Sequence, residues 1–340
     1  MHSALLTLIF CAVALSVAGA PTPLHSLAEA KAQKYPSLPA KVERRAVTIW
    51  SDGTKMAGDL YLPTGLGPGD RLPAIVFIAG TGGTKKSSPA RMAPLFVAKG
   101  YAFLAFDYRG WGESESKLQL LEPMPETDAR GEVTVRARAI RWQMDFADQV
   151  ADIRAAIAFI AGEPNVDASR IGIIGTSYGG GLATWTAAND PRIRCAAVQV
   201  PGMGGGKTPA ADRRAYELLT RQARGTTEPV PYEHGAPTGS MAAYAHMRYN
   251  PAKGLGFDVI KAAEKITVPM LIIDAGNEEL MNRAENGQRV ADLLRSRGTP
   301  VDYHVIPGIG HYGVYAEKFR EVTEMEIAWF EKNLKSMKSK

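Results

Sequence analysis

Three groups in this chain have the types and spacing to do chemistry together: a serine between glycines, a histidine in a glycine-rich loop, and a short acidic run. Ser177 lies in "RIGIIGTSYGGGLATW", with Gly175 two residues before it and Gly179 two after. The pattern G-x-S-x-G is weak by itself, so its surroundings must decide. An apolar run of strand length precedes it and a helix-forming run follows. A turn that sharp strains the serine backbone and leaves no room for side chains at the flanking positions, which accounts for the glycines. Gly180 and Gly181 would let the following helix approach the sheet. The turn presents the hydroxyl at a helix N-terminus, where unpaired N–H groups and the macrodipole favour developing negative charge.

A serine hydroxyl at its ordinary pKa is a poor nucleophile and needs a base, itself oriented by a carboxylate. The chain has six histidines. His2 and His25 fall near the N-terminus, His304 alternates within a strand pattern, and His234 and His246 sit in a long insertion. His311 follows the last strand in "IPGIGHYGVY", beyond the carboxyl end of a buried strand, where parallel sheets build their sites. The carboxylate should come from "DAGNEELMN", the loop after "PMLIID", which offers Asp274, Glu278 and Glu279. Glu278 is preferred because a loop can turn back there, whereas Asp274 ends the strand; the other two stay open. An oxyanion needs two preorganised N–H donors. These are expected from Tyr178, directly after the serine, and from Thr81, or else Gly82, in "IAGTGGTKKS". Trp111 and Met203, with Trp142–Met144 and Tyr244–Tyr249, are candidates to line an acyl pocket, although each also suits ordinary packing.

The elements that must position these groups alternate. "RAVTIW" and "MAGDLYLP" flank Asp52-Gly53 as a hairpin. "PAIVFIAG", "YAFLAFDY", "RIGIIG", "CAAVQV", "PMLIID" and "DYHVIP" read as strands, several of them continuous apolar runs typical of a buried parallel sheet. Between them lie helical stretches, the clearest having Val150, Ile153, Ile157 and Ile160 on one stripe. Strands alternating with helices predict a mostly parallel, doubly wound sheet. Two stretches break the rhythm, Glu113 to Arg141 and Lys207 to Ile266, and connections this long are usually lids or binding loops. The second is expected to be a partly helical cap, with helices in "DRRAYELLTRQA" and "MAAYAHMRY". The predicted organisation is a leader over 1–20, an arm over 21–40, a core over 41–206 and 267–340, and the cap over 207–266.

"LLTLIFCAVALSVAGA" (Leu5 to Ala20) is an uncharged apolar run ending in small residues, too short for a comfortable membrane span. It reads as a signal peptide, although no Lys or Arg precedes it, and predicts export without stable membrane insertion. Residues 21–40, rich in Pro and Ala, read as a loose arm. Removing the leader would take Cys11 with it and leave Cys195, which sits in an apolar strand pattern, so no internal disulfide is expected.

With 340 residues, 45% hydrophobic and 22% charged, the chain can bury a substantial core. A net charge of +5, carried by scattered basic pairs, argues against a nucleic-acid partner. No histidine pair, cysteine pair or clustered Asp run has metal-ligand spacing, and "TGGTKK" lacks the full phosphate-loop pattern, so neither metal nor cofactor is implied. Oligomeric state is not legible.

In order along the chain, "DYRGWGESES", "VDASRIGIIGTSYGGGLA", "VPMLIIDAGNEEL" and "GIGHYGVY" resemble the α/β-hydrolase superfamily. More narrowly, the chain is similar to its dienelactone-hydrolase-like and Xaa-Pro-dipeptidyl-peptidase-like branch and to related carboxylesterases, over about Arg45 to Leu334. The resemblance implies an α/β-hydrolase fold in which Ser177 is the nucleophile, Glu278 the acid (usually Asp in relatives) and His311 the base. Thr81 and Tyr178 take the oxyanion positions. Ala79 departs from relatives, which commonly carry His there. The expected substrate is a small carboxylic ester cleaved through an acyl-enzyme. A peptidase with the same triad is the alternative, its amine-holding carboxylate one of Glu217, Glu228 and Glu233. A non-catalytic binding module would have lost part of the triad.

Overall fold

The computed structural model describes residues 26–204, 208–227, 244 and 246–337. The leader, Glu228, Glu233 and His234 lie outside the described residues. The chain begins with α1 (Leu27–Ala32), β1 (Val42–Ser51), β2 (Thr54–Pro63), β3 (Leu72–Ile78), α2 (Ser88–Val97) and β4 (Ala102–Phe106). Short strands β5 (Leu118–Leu120), β6 (Ala137–Ala139) and β7 (Gln143–Met144) follow, then α3 (Phe146–Ala161), β8 (Val166–Thr176), α4 (Tyr178–Asn189) and β9 (Ile193–Gln199). The described part of 207–266 supplies α5 (Pro209–Ala223), β10 (Arg248–Tyr249) and α6 (Val259–Ala263). The chain closes with β11 (Met270–Ala275), α7 (Gly287–Ser296), β12 (Val301–Ile306) and α8 (Phe319–Phe330).

Among the described residues, eight strands form the central sheet in the order β1-β2-β4-β3-β8-β9-β11-β12. The hairpin β1–β2 and the pair β2–β4 are antiparallel; every pairing from β4 through β12 is parallel. This is the α/β-hydrolase arrangement. Asp52 and Gly53 close the hairpin, both with positive φ (48° and 75°), the turn whose twist matches its strands. The runs Ala74–Ile78 and Ala102–Phe106 are buried throughout, as strands covered on both faces must be. Helices flank the sheet: α2 packs against α8, with Phe96 and Phe330 edge to face, and α3 packs against α4. Among the described residues, no helix is long and apolar enough to cross a membrane.

Two readings need correction. The arm is not loose from Ser26 onward: α1 carries a capping box from Ser26 and Glu29, Ala30 is buried, and Tyr35 is hydrogen-bonded to the core residue Asp59. Buried polar partners, which composition does not reveal, hold it. The stretch Glu113–Arg141 carries a small antiparallel hairpin, β5 with β6. In the long insertion α5 matches the expected helix; of the second one, over "MAAYAHMRY", residues 241–243 and 245 lie outside the described residues, and Arg248–Tyr249 is a strand pairing in parallel with β7. That pairing ties the insertion to the segment before α3 and satisfies backbone groups of both strands.

Candidate active site

Ser177 stands between β8 and α4 with φ 53° and ψ −124°, a backbone conformation that a residue with a side chain holds only when its surroundings enforce it. The enforcing contacts are visible. The Ser177 N–H donates to Gln199 O at 2.9 Å, and Ser177 O accepts from Gly180 and Gly202 at 2.8 and 2.9 Å. A Cβ on Gly179 would lie 2.4 Å from the carbonyl oxygens of both Ile78 and Ala79. One on Gly175 would lie 2.5 Å from Ala183 Cβ and from Gly179 O. The glycines are there because helix, elbow and neighbouring strand meet at backbone distance.

The His311 ring closes on this hydroxyl. Its Nε2 is 3.0 Å from Ser177 Oγ, and its Nδ1 is 2.8 and 3.0 Å from the two Glu278 oxygens. Nδ1–H donating to the carboxylate leaves Nε2 as an acceptor facing the hydroxyl. Both the imidazole and the carboxylate are buried, which strengthens the interaction between them. Glu278 Oε1 also accepts from the Leu280 and Met281 N–H groups at 3.0 and 3.1 Å, so the loop fixes the carboxylate's orientation.

The other two acids are engaged elsewhere. Glu279 accepts the backbone N–H of His311 at 2.8 Å. Asp274 accepts from the Tyr303 hydroxyl at 2.9 Å, and burial pushes its carboxyl up to about 6. All three carboxylates thus serve the loop, but one alone meets the imidazole.

A cavity of about 250 Å³ opens over Ser177 and His311. One wall is the backbone of Gly80 to Gly83 with Ser87 and Ser88; the other is Leu280, Met281, Tyr244, Tyr312 and Tyr315. Gly83 N–H bonds to Gly80 O at 3.0 Å and Gly82 has φ 69°, so Thr81 sits at the crown of a tight turn in the cavity wall. Tyr178 opens α4, and its N–H is among those a helix leaves without an intrahelical acceptor. Burial raises the phenols of Tyr312 and Tyr315 far above their usual range, keeping them protonated. These tyrosines and Met281 were not singled out from the sequence, although their adjacency to His311 and Glu278 was the available signal.

Two proposed lining residues are placed differently. Trp111 is fully buried, its indole N–H donating to Gln143 O at 2.8 Å and its ring packed edge-on to Tyr108; it belongs to the core and not to the cavity. Met203 lines a second space of about 220 Å³ between α5, Phe257 and the Tyr178 ring. Trp142 is likewise packed against Trp111. Cys195 is buried in β9, where burial pushes its thiol up and keeps it unreactive. His304 pairs with Asp302 at the surface.

The sequence profile of the prolyl oligopeptidase family matches residues 139–337, more than half the chain and including Ser177, Glu278 and His311. The chain belongs to the prolyl oligopeptidase family. It is a serine hydrolase of the α/β-hydrolase superfamily. The profile of the X-Pro dipeptidyl-peptidase (S15) family matches residues 52–208. Among curated relatives, the quorum-quenching protein AidA of Acinetobacter baumannii is 35% identical over 151 residues, 44% of this chain and 41% of that protein. An uncharacterised Pseudomonas aeruginosa protein is 35% identical over 158 residues, 46% of this chain and 36% of that one. The chain thus spans less than half the length of these two relatives. In structure, the α/β hydrolase GrgF of a Penicillium species superposes with a TM-score of 0.65 at 17% identity, covering 86% of this chain and 99% of that one. A hypothetical protein of Pseudomonas aeruginosa superposes at 0.63 and 22%, covering 88% and 96%. At these identities the structural likeness speaks for the fold.

Proposed function

We propose that this hydrolase is an exported esterase that cleaves small carboxylic esters through an acyl-enzyme. Ser177 is the nucleophile, His311 the general base and acid, and Glu278 the orienting carboxylate. The carrying observation is the continuous path from Glu278 through His311 to Ser177, at 2.8 and 3.0 Å. His311 takes the Ser177 proton as Oγ attacks the acyl carbon, Glu278 stabilises the imidazolium, and the proton then passes to the leaving alcohol. Water repeats the sequence to release the acid. The amides of Thr81 and Tyr178 receive the oxyanion; each such donor lowers the barrier by about 3 kcal/mol. The apolar run Leu5 to Ala20 is the observation supporting export.

Cleavage of peptides by the same groups is the second reading, favoured by the two peptidase profiles. An exopeptidase of that kind needs a carboxylate to hold the substrate amine. Among the described residues, none lines the cavity, and Glu217 lies exposed on α5. A neutral acyl group suits those walls better. The test compares short p-nitrophenyl esters with aminoacyl-proline anilides, using the mature chain and its Ser177→Ala variant. Ester turnover that disappears with the hydroxyl is expected; ester turnover surviving in the variant, or anilides preferred over esters, would remove this reading. Mass spectrometry of the secreted chain, expected to begin after residue 18 or 20, tests export.

A further inference from the structure

The loop that carries Thr81 continues into two adjacent lysines, Lys85 and Lys86, and both are almost fully buried. Buried ammonium groups are costly unless every proton finds an acceptor, so their surroundings must have been built for them. Lys85 Nζ lies 2.7 Å from Glu113 and 3.2 Å from Asp59, and it donates to the hydroxyl of Tyr35, which in turn donates to Asp59 at 2.6 Å. Lys86 Nζ reaches Glu113 at 2.9 Å and the carbonyl oxygens of Ala30, Gln33 and Lys31 at 2.8, 3.2 and 3.3 Å. Those carbonyls close the C-terminal end of α1, where a helix leaves acceptors unpaired and favours a cation.

Tyr35 and the α1 carbonyls are all contributed by the arm. The Arg44 guanidinium sits 3.3 Å above the centre of the Tyr35 ring and pins it. From the core side, Asp107 accepts the Lys85 backbone N–H at 2.7 Å and the Glu113 N–H at 2.8 Å, and the Tyr108 hydroxyl donates to Ala79 O at 3.1 Å. The segment from Ala79 to Lys86 is therefore held at its start by Tyr108 and at its end by a charge cluster that the arm completes.

We infer that residues 26–36 act as a clamp which positions the Thr81 amide for the reaction, through Tyr35 on Lys85 and the end of α1 on Lys86. The inference rests on the reading of Thr81 as an oxyanion donor. The arm touches none of the reacting groups; its residues are positioning residues. Removing an acceptor from either ammonium admits water to the cluster and lets the loop drift. A misplacement of about 1 Å at such a donor costs up to about a hundredfold in turnover.

The test uses Tyr35→Phe, which deletes one oxygen atom, with Lys86→Met and the conservative Lys86→Arg. With sites counted by burst titration, kcat per active site should fall about tenfold or more in the first two variants while KM stays within about twofold. Lys86→Arg should recover most of the loss. Deuterium uptake in a peptide spanning residues 79–87 should rise in Tyr35→Phe and Lys86→Met and stay unchanged in Ser177→Ala. Unchanged kcat per titrated site with unchanged uptake at 79–87 would overturn the clamp, as would uptake rising equally throughout the chain. Should Lys86→Met fail to fold, Tyr35→Phe decides alone. Loop uptake that responds in a chain with no ester turnover would uphold the arm's hold on the loop but overturn both the proposed reaction and the clamp's part in it.

Discussion

Replacing Glu278 by Gln, beside Glu279→Gln, separates two of the three acids of its loop by mechanism. Oε1 of Glu278 accepts from the Leu280 and Met281 N–H groups, so a Gln carbonyl will settle there and its amide will take the Oε2 position, 3.0 Å from His311 Nδ1. The carbonyl at the Oε1 position, 2.8 Å from Nδ1, still accepts its proton, but the neighbouring NH2 group competes as a donor and the negative charge is gone. In rings that meet the NH2 group the proton moves to Nε2, which then faces Ser177 Oγ at 3.0 Å as a donor; in the others the imidazolium formed on proton transfer has no carboxylate beside it. Losing the carboxylate that fixes the tautomer and stabilises the imidazolium costs about 10⁴ in kcat. That is about 5 kcal/mol of barrier. The control is Glu279→Gln, whose amide carbonyl can still accept the His311 backbone N–H, and a loss below about tenfold is expected because that bond holds the loop but not the proton. The assay is kcat and kcat/KM for p-nitrophenyl butyrate near pH 8, with thermal unfolding confirming a folded enzyme. Glu278→Gln retaining more than a tenth of the activity, or Glu279→Gln losing thousandfold, would refute the assignment.

Other expectations can be checked in parallel. Gly179→Ala places a methyl group 2.4 Å from two carbonyl oxygens and should cost about 3 kcal/mol or more, read as a fall in chemical-denaturation midpoint together with lost activity. Trp111→Leu should destabilise the fold by about 3 kcal/mol while leaving KM unchanged in the enzyme that folds, because the ring fills core. Glu326 is fully buried, accepts from Gln199 at 2.8 Å, and burial pushes its carboxyl up to about 8. The native state therefore holds a proton that the unfolded chain releases near its ordinary value. Its contribution is complete at low pH and fades as pH rises toward 8, by at most about 1.4 kcal/mol per pH unit. Glu326→Gln, measured by thermal unfolding between pH 5 and 9, should flatten that decline; an unchanged slope would show that Glu326 does not titrate there.

Local signals in the sequence determined a great deal. Strand-length apolar runs alternating with helical periodicity specify the parallel sheet, because each run must be buried on both faces. Gly175 and Gly179 around Ser177 announce an elbow, because that backbone geometry tolerates little else. His311 was legible from its place after the last strand. What only tertiary structure decided are the pairings between distant positions. Glu278 differs from Glu279 by one step along the chain, yet the turn at Leu280 and Met281 aims one at the imidazole ring and the other at the His311 backbone. Trp111 and Tyr312 are both aromatic and near functional segments, but packing buries the first and leaves the second in the cavity wall. The arm reads as loose because its composition is that of a linker. Its order comes from Lys85, Lys86 and Asp59, acceptors and donors brought to it by folding and invisible to any window of neighbouring residues.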